Sequence, residues 1–237
     1  MNGTKSFRSE MKKSVAQLIV LISLVVFFPF TQLRSFAAES TSPEIPSGLI
    51  VGGGVCPESK VISPPLEKQQ TSTWCWAATA KIAMNYKGNT EQQCFIVDTV
   101  RQNQLNIKSP PTCCIAQPQT VINCMVTSES WRALDEFGFH YDVADESTFG
   151  WPELRTQICG DGPVIYGEDY WVGGGHEYIL RGFRLAADGI RWVVLYDPTD
   201  DPTSDPREES YDDWLRLPTT GPDPDRSDVV YYVNIHP

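Results

Sequence analysis

Residues Gln69–Gly88 read QQTSTWCWAATAKIAMNYKG, a hydroxyl-rich run followed by good helix formers that close on Lys87-Gly88. Thr71, Ser72 and Thr73 are residue types that cap helix N-termini, and glycine commonly sits just past a helix end. The stretch therefore predicts one helix, with Cys75 in its first turn between Trp74 and Trp76. A cysteine so placed has three readings. It is a buried structural thiol, half of a disulfide, or a nucleophile whose thiolate is favoured by free N–H groups and the positive end of the helix dipole.

The first residues bear on the choice because they set the redox compartment. Met11-Lys12-Lys13 is basic, Val15–Phe30 is apolar, and Ser35 and Ala37 are small residues spaced for signal-peptidase cleavage. That order predicts a secretory signal peptide over Met1–Ala37. The apolar run falls just short of the roughly 20 residues a spanning helix needs, so no lasting membrane association is expected after cleavage. The localisation expected is extracellular or periplasmic. Cleavage takes the formal net charge from −11 to −15, since five basic residues and one acidic residue leave with the leader. Such a surface excludes phosphate neutralisation by clustered Lys and Arg, hence nucleic-acid binding.

In an oxidising compartment cysteines pair, and the chain holds seven. If Cys75 is the free one, Cys56, Cys94, Cys113, Cys114, Cys124 and Cys159 remain for three disulfides, whose connectivity the sequence does not fix. Cys113 and Cys114 are adjacent, and no C-x₂-C pair or suitably spaced histidine completes a site, which argues against structural zinc. No metal is expected.

Ala38–Lys68 is rich in Pro, Ser and Gly; residues 38–65 read as an extended lead-in pinned at Cys56, followed by a domain from Leu66 to the C-terminus. Thr90 and Gln93 have capping-box spacing ahead of a second helix. Pro and Cys between Ile107 and Met125 point to a disulfide-tied loop, and Thr127 and Ser128 offer caps to a third helix with Trp131, Leu134 and Phe137 along it. A fourth runs from Pro152 towards Gly160. After Gly162 the period becomes two, in PVIYG, HEYILRGFRL, IRWVVLYDP and DVVYYVNI. Asp200–Asp225, acidic and Pro-rich around Trp214, reads as a solvated loop without a calcium-binding pattern. Helices first and an antiparallel sheet after them make the fold α+β.

A thiol nucleophile needs a base, and the chain has three histidines. His140 lies on an apolar alternating stretch and reads as partly buried, while His236 is next to last. His176 follows three glycines, which allow close approach of a backbone or a substrate. Its strand is joined to the next through Ala186–Gly189. If Leu185 faces Ile190, Asp197 falls opposite Tyr178 and on the face of His176, a diagonal of about 7–8 Å that a His–carboxylate bond can span. Asp197 can then orient the imidazole and stabilise its charged form.

Gln-x₅-Cys-Trp-Ala-Ala from Gln69, Gly-His-x₅-Gly-Phe from Gly175 and the Asp-Pro at Asp197-Pro198 together resemble the papain-like cysteine proteases. The similarity runs from Leu66 to the C-terminus and is nearest to the bacterial branch of bacteriocin-processing peptidases and AvrRpt-type effector proteases. It implies a helical half carrying the nucleophile, a β half, and a cleft between them. Cys75 would be nucleophile, His176 general base then acid, and Asp197 the orienting group, where papain uses Asn. The family's oxyanion glutamine falls on Gln69, with Gln70 as the alternative. No cofactor is implied, and the partner is a protein or peptide substrate. Another acyl transfer on the same triad, or a disulfide-stabilised binding module with an inert Cys75, are the rival readings.

Overall fold

A seven-stranded sheet, covered by helices on both faces, organises the molecule. The computed structural model describes residues 50–51, 54–108, 112–145, 148–160, 162–170, 175–214 and 226–237. All belong to one unit, Ile45–Pro237. The expected signal peptide, Met1–Ala37, lies outside the described residues, as do the first two glycines before His176. Among the described residues no helix is long and apolar enough to cross a membrane.

A short hairpin, β1 (Ile50–Val51) and β2 (Gly54–Val55), precedes β3 (Ser59–Val61). The helices α1 (Cys75–Tyr86), α2 (Gln93–Asn103) and α3 (Ser130–Glu136) follow, then β4 (His140–Ala144) and α4 (Trp151–Cys159). The chain ends in β5 (Val164–Tyr170), β6 (Gly175–Leu185), β7 (Arg191–Tyr196), β8 (Arg207–Ser210) and β9 (Arg226–His236). The sheet order is β4-β9-β5-β6-β7-β8, every neighbouring pair antiparallel, and β3 pairs with β6 beyond the end of β5. The architecture is α+β, as the change of hydrophobic period implied. β3 extends this sheet from within the segment read as a lead-in.

Alternation along the strands sorts the core. Ile165, Ile179 and Tyr232 pack with α1, α2 and α3, while Val164, Tyr166, Leu180 and Tyr231 pack with Leu154 and Ile158 of α4. Burial on both faces explains why these strands read as nearly continuous apolar runs. Gly182 is required by close approach, because a Cβ there would lie 2.8 Å from the Lys60 carbonyl oxygen and 2.9 Å from Val61 Cγ2. That contact brings β3 onto β6.

Several expectations need correction. The Asp200–Asp225 segment is not all solvated loop, because β8 pairs with β7 and the Tyr211 and Trp214 side chains are buried. Main-chain pairing at a sheet edge does not require apolar side chains, so Arg207–Ser210 carried no period-two signal. His140 is exposed, on edge strand β4, with its ring 5.4 Å from that of His236. Thr90 and Gln93 form no capping box: α2 starts at Gln93, whose side chain is turned instead to Glu67, the Lys68 carbonyl and the Gln70 N–H. Neither Thr127 nor Ser128 caps α3.

The β6–β7 hairpin differs instructively from the expected register. Leu185 pairs with Arg191, not Ile190, because the turn is one residue longer and closes by Ala186 N–H to the Ile190 carbonyl, with Gly189 at φ +83°. A register shift at Arg181 then cancels the slip, so that Ile179 opposes Tyr196. Continued one residue further, the register sets Tyr178 against Asp197, the relation the shorter turn had implied.

Candidate active site

Cys75 opens α1, and no side chain caps the helix: its N-cap is Trp74, held by its N–H on the Thr71 carbonyl. The expected hydroxyl caps are absent, and the N–H groups of the first turn are therefore left without side-chain acceptors. Both flanking tryptophans are buried and fixed. Trp74 Nε1 donates to the Cys124 carbonyl at 2.7 Å and Trp76 Nε1 to the Val126 carbonyl at 3.3 Å.

The segment that receives them is itself braced by disulfides. The bridges are Cys56–Cys159, Cys94–Cys114 and Cys113–Cys124, and Cys75 is the free cysteine. The adjacent cysteines thus bind different partners. One bridge ties the 113–124 loop upon itself and the other ties it to α2, while Cys56–Cys159 fastens the segment before β3 to the end of α4.

Cys75 and His176 line one cleft of about 420 Å³, together with Ser72, Thr73, Glu129 and Gly167 among others. His176 Nε2 lies 2.8 Å from Asp197 Oδ1, and Cys75 is the other neighbour whose hydrogen bonding and charge act on the ring. Tyr178 packs edge-on against the imidazole, with centroids 4.6 Å apart. Burial disfavours a charged ring, but the hydrogen bonds and electrostatic attraction of Asp197 and Cys75 outweigh it and raise the His176 pKa to about 10. Burial likewise pushes Asp197 upward, yet the bond from His176 and those from the Thr199 N–H and hydroxyl hold it at about 2. Between these values the pair is an imidazolium and a carboxylate. Arg207, on the unforeseen β8, adds a cation 3.9 Å from Asp197 Oδ2.

Gln69 is attached to this cluster by its backbone N–H on the Pro198 carbonyl, at 2.8 Å. Its Nε2 donates to the Thr71 carbonyl at 2.8 Å, and its Oε1 is buried without a hydrogen-bond partner. The described residues that line the cleft do not include Gln69. Gln70 is exposed. The structure therefore sets Cys75 and His176 on one cleft, bonds His176 to Asp197, and places Gln69 beside the Asp197 turn.

Glu177 escaped sequence reasoning. It lines the same cleft and is buried, accepting from the Thr79 hydroxyl at 2.7 Å and from the Ser130 N–H at 3.0 Å. This distant carboxylate meets the start of α3 where a local cap was expected. Burial pushes its pKa up, against the lowering effect of bonds from Thr79 and Ser130. The available signal was its place in HEYIL, where alternation puts a charged residue on the core face of Ile179. Among the described residues no group of three or more His, Cys, Asp or Glu side chains is arranged to hold a metal ion.

The family model for the papain-like cysteine protease AvrRpt2 matches residues 59–215. No curated protein matches the sequence. Among solved structures, xylellain, a cysteine protease from Xylella fastidiosa, aligns at 12% identity and a TM-score of 0.43, covering 76% of this chain and 86% of its own. The bromelain protease from Ananas comosus, in complex with the E64 inhibitor, aligns at 11% identity and a TM-score of 0.40, covering 74% and 98%.

Proposed function

The chain belongs to the AvrRpt2 family of papain-like cysteine proteases, and on that ground we propose a secreted endopeptidase working through Cys75, His176 and Asp197. The observation that carries the reading is His176, which lines one cleft with the free thiol of Cys75 and is bonded to the Asp197 carboxylate. The Cys75 sulfur attacks the peptide carbonyl carbon, forming a C–S bond while the carbonyl electron pair moves to oxygen. The Cys75 N–H and the Gln69 side-chain amide hold that oxyanion, the latter after it turns from the Thr71 carbonyl to which it donates here. His176 passes its proton to the leaving nitrogen, the C–N bond breaks, and an acyl-enzyme remains. A water that gives its proton to His176 attacks the thioester, and cleavage of the C–S bond releases the acid. Asp197 keeps the ring aimed throughout and stabilises its charged form in the steps that need it.

The leader-like Met1–Ala37 and the three disulfides support secretion, since such bridges persist in oxidising compartments. The test is thiol labelling of the oxidised protein. One equivalent of iodoacetamide should enter at Cys75 below pH 7, and peptide hydrolysis should vanish in Cys75→Ala. No accessible thiol at Cys75, or peptide hydrolysis that survives in Cys75→Ala, would refute the mechanism.

A further inference from the structure

His176 and Glu177 are consecutive on β6, and Cys75 and Thr79 are one turn apart on α1. Residues four apart lie on one helix face. The strand is tied to that face by Glu177 Oε2, which accepts from the Thr79 hydroxyl at 2.7 Å, and the residue before it, His176, lines the cleft together with Cys75. Thr79 Oγ1 also lies 3.1 Å from the carbonyl oxygen of Cys75 itself. The other carboxylate oxygen takes the Ser130 N–H at 3.0 Å and so fixes the start of α3, directly after the cleft-lining residues Thr127, Ser128 and Glu129. A carboxyl group is costly to bury, and an apolar residue facing Ile165 and Ile179 would pack here without that cost.

We propose that Glu177 is a positioning residue for the peptidase reaction, holding the Cys75 end of α1, the base strand β6 and the α3 wall of the cleft in one geometry. The proposal rests on the reading of Cys75 and His176 as nucleophile and base. Glu177 acts through its bonds from the Thr79 hydroxyl and the Ser130 N–H.

The test compares Glu177→Ala, Glu177→Gln and Thr79→Val, using a peptide substrate and iodoacetamide labelling of Cys75 at pH 6. A misplacement of about 1 Å costs up to roughly 100-fold in rate, so Glu177→Ala should lower kcat about 10- to 100-fold with KM within about threefold, and labelling should slow in parallel. Glu177→Gln should recover most of the rate, because its Oε1 accepts from Ser130 and its Nε2 donates to Thr79. Thr79→Val breaks the same bond from the helix side with an isosteric side chain and should slow kcat likewise. It carries the test alone if Glu177→Ala does not fold. A folded Glu177→Ala with unchanged kcat and labelling, an effect confined to KM, or failure of Gln to rescue would overturn the proposal. Labelling also separates this idea from the one beneath it. Wild-type Cys75 inaccessible to the label sinks the mechanism, whereas a reactive wild type matched by Glu177→Ala sinks only the positioning role.

Discussion

Asp197→Asn removes one charge and almost nothing else. The amide oxygen can still accept from His176 Nε2, 2.8 Å away, and from Thr199. A hydrogen bond to a charged group contributes about 1.5–3 kcal/mol against about 0.5–1.5 for a neutral one, a loss of roughly 1–2 kcal/mol. At 1.36 kcal/mol per unit this is about one pKa unit, and a neighbouring opposite charge can raise the figure to about two. The sign is fixed by which form is charged. Asp197 stabilises the imidazolium, so neutralising it lowers the His176 pKa from about 10 to roughly 8–9. Protonation of the leaving amine requires the imidazolium, and the alkaline limb of kcat/KM should fall by the same interval. At pH 9.5 the variant should lose about eightfold through deprotonation alone, and at pH 7 almost nothing by this route, taking a shift of about 1.5 units. Initial rates on a peptide amide after a pH jump, with circular dichroism as a folding control, read this directly. A defect equal at pH 7 and 9.5, or an alkaline limb moved by less than about 0.3 unit, would refute the assignment of Asp197 as the partner of a charged His176.

Gln69→Ala should lower kcat about 100-fold or more with little change in KM, the loss typical of one oxyanion donor, and Gln70→Ala should be near wild type; steady-state kinetics decides. Gly182→Ala sets a methyl group against the β3 backbone and should cost about 1–3 kcal/mol in urea unfolding. Replacing Cys56 and Cys159 by serine opens a loop spanning 103 residues, and the same change at Cys113 and Cys124 one spanning 11. Loop-closure entropy gives about 5 and 3 kcal/mol respectively, so the longer bridge should lower the denaturation midpoint further.

The parts of this protein legible in its sequence are those whose signal is local. The α1 helix announced itself by composition, and Cys75 by the arithmetic of seven cysteines, one of which had to be left over. The hairpin carrying His176 and Asp197 was legible because period-two patterning outlasts a change in turn length. The expected turn was one residue short, yet the register at the functional end agreed, since the bulge at Arg181 offsets the longer turn. What the sequence did not reveal depends on residues far apart. The N–H at the start of α3 is met by Glu177, 47 residues further on, so the local Thr127 and Ser128 were offered for a place already filled. Gln93 had the spacing to reach back to Thr90, but burial against Lys68 and Glu67 gave its amide better partners. Arg207 reached Asp197 because β8 pairs through its backbone, and backbone pairing leaves no mark on side-chain pattern. The omissions share a location. Glu177 and Arg207 both stand behind the groups proposed to do the chemistry, one on each face of the sheet, and a supporting shell is assembled by tertiary packing. Motif spacing can therefore point to a nucleophile and its base, while the residues that hold them at working distance emerge only when the strands and helices are set side by side.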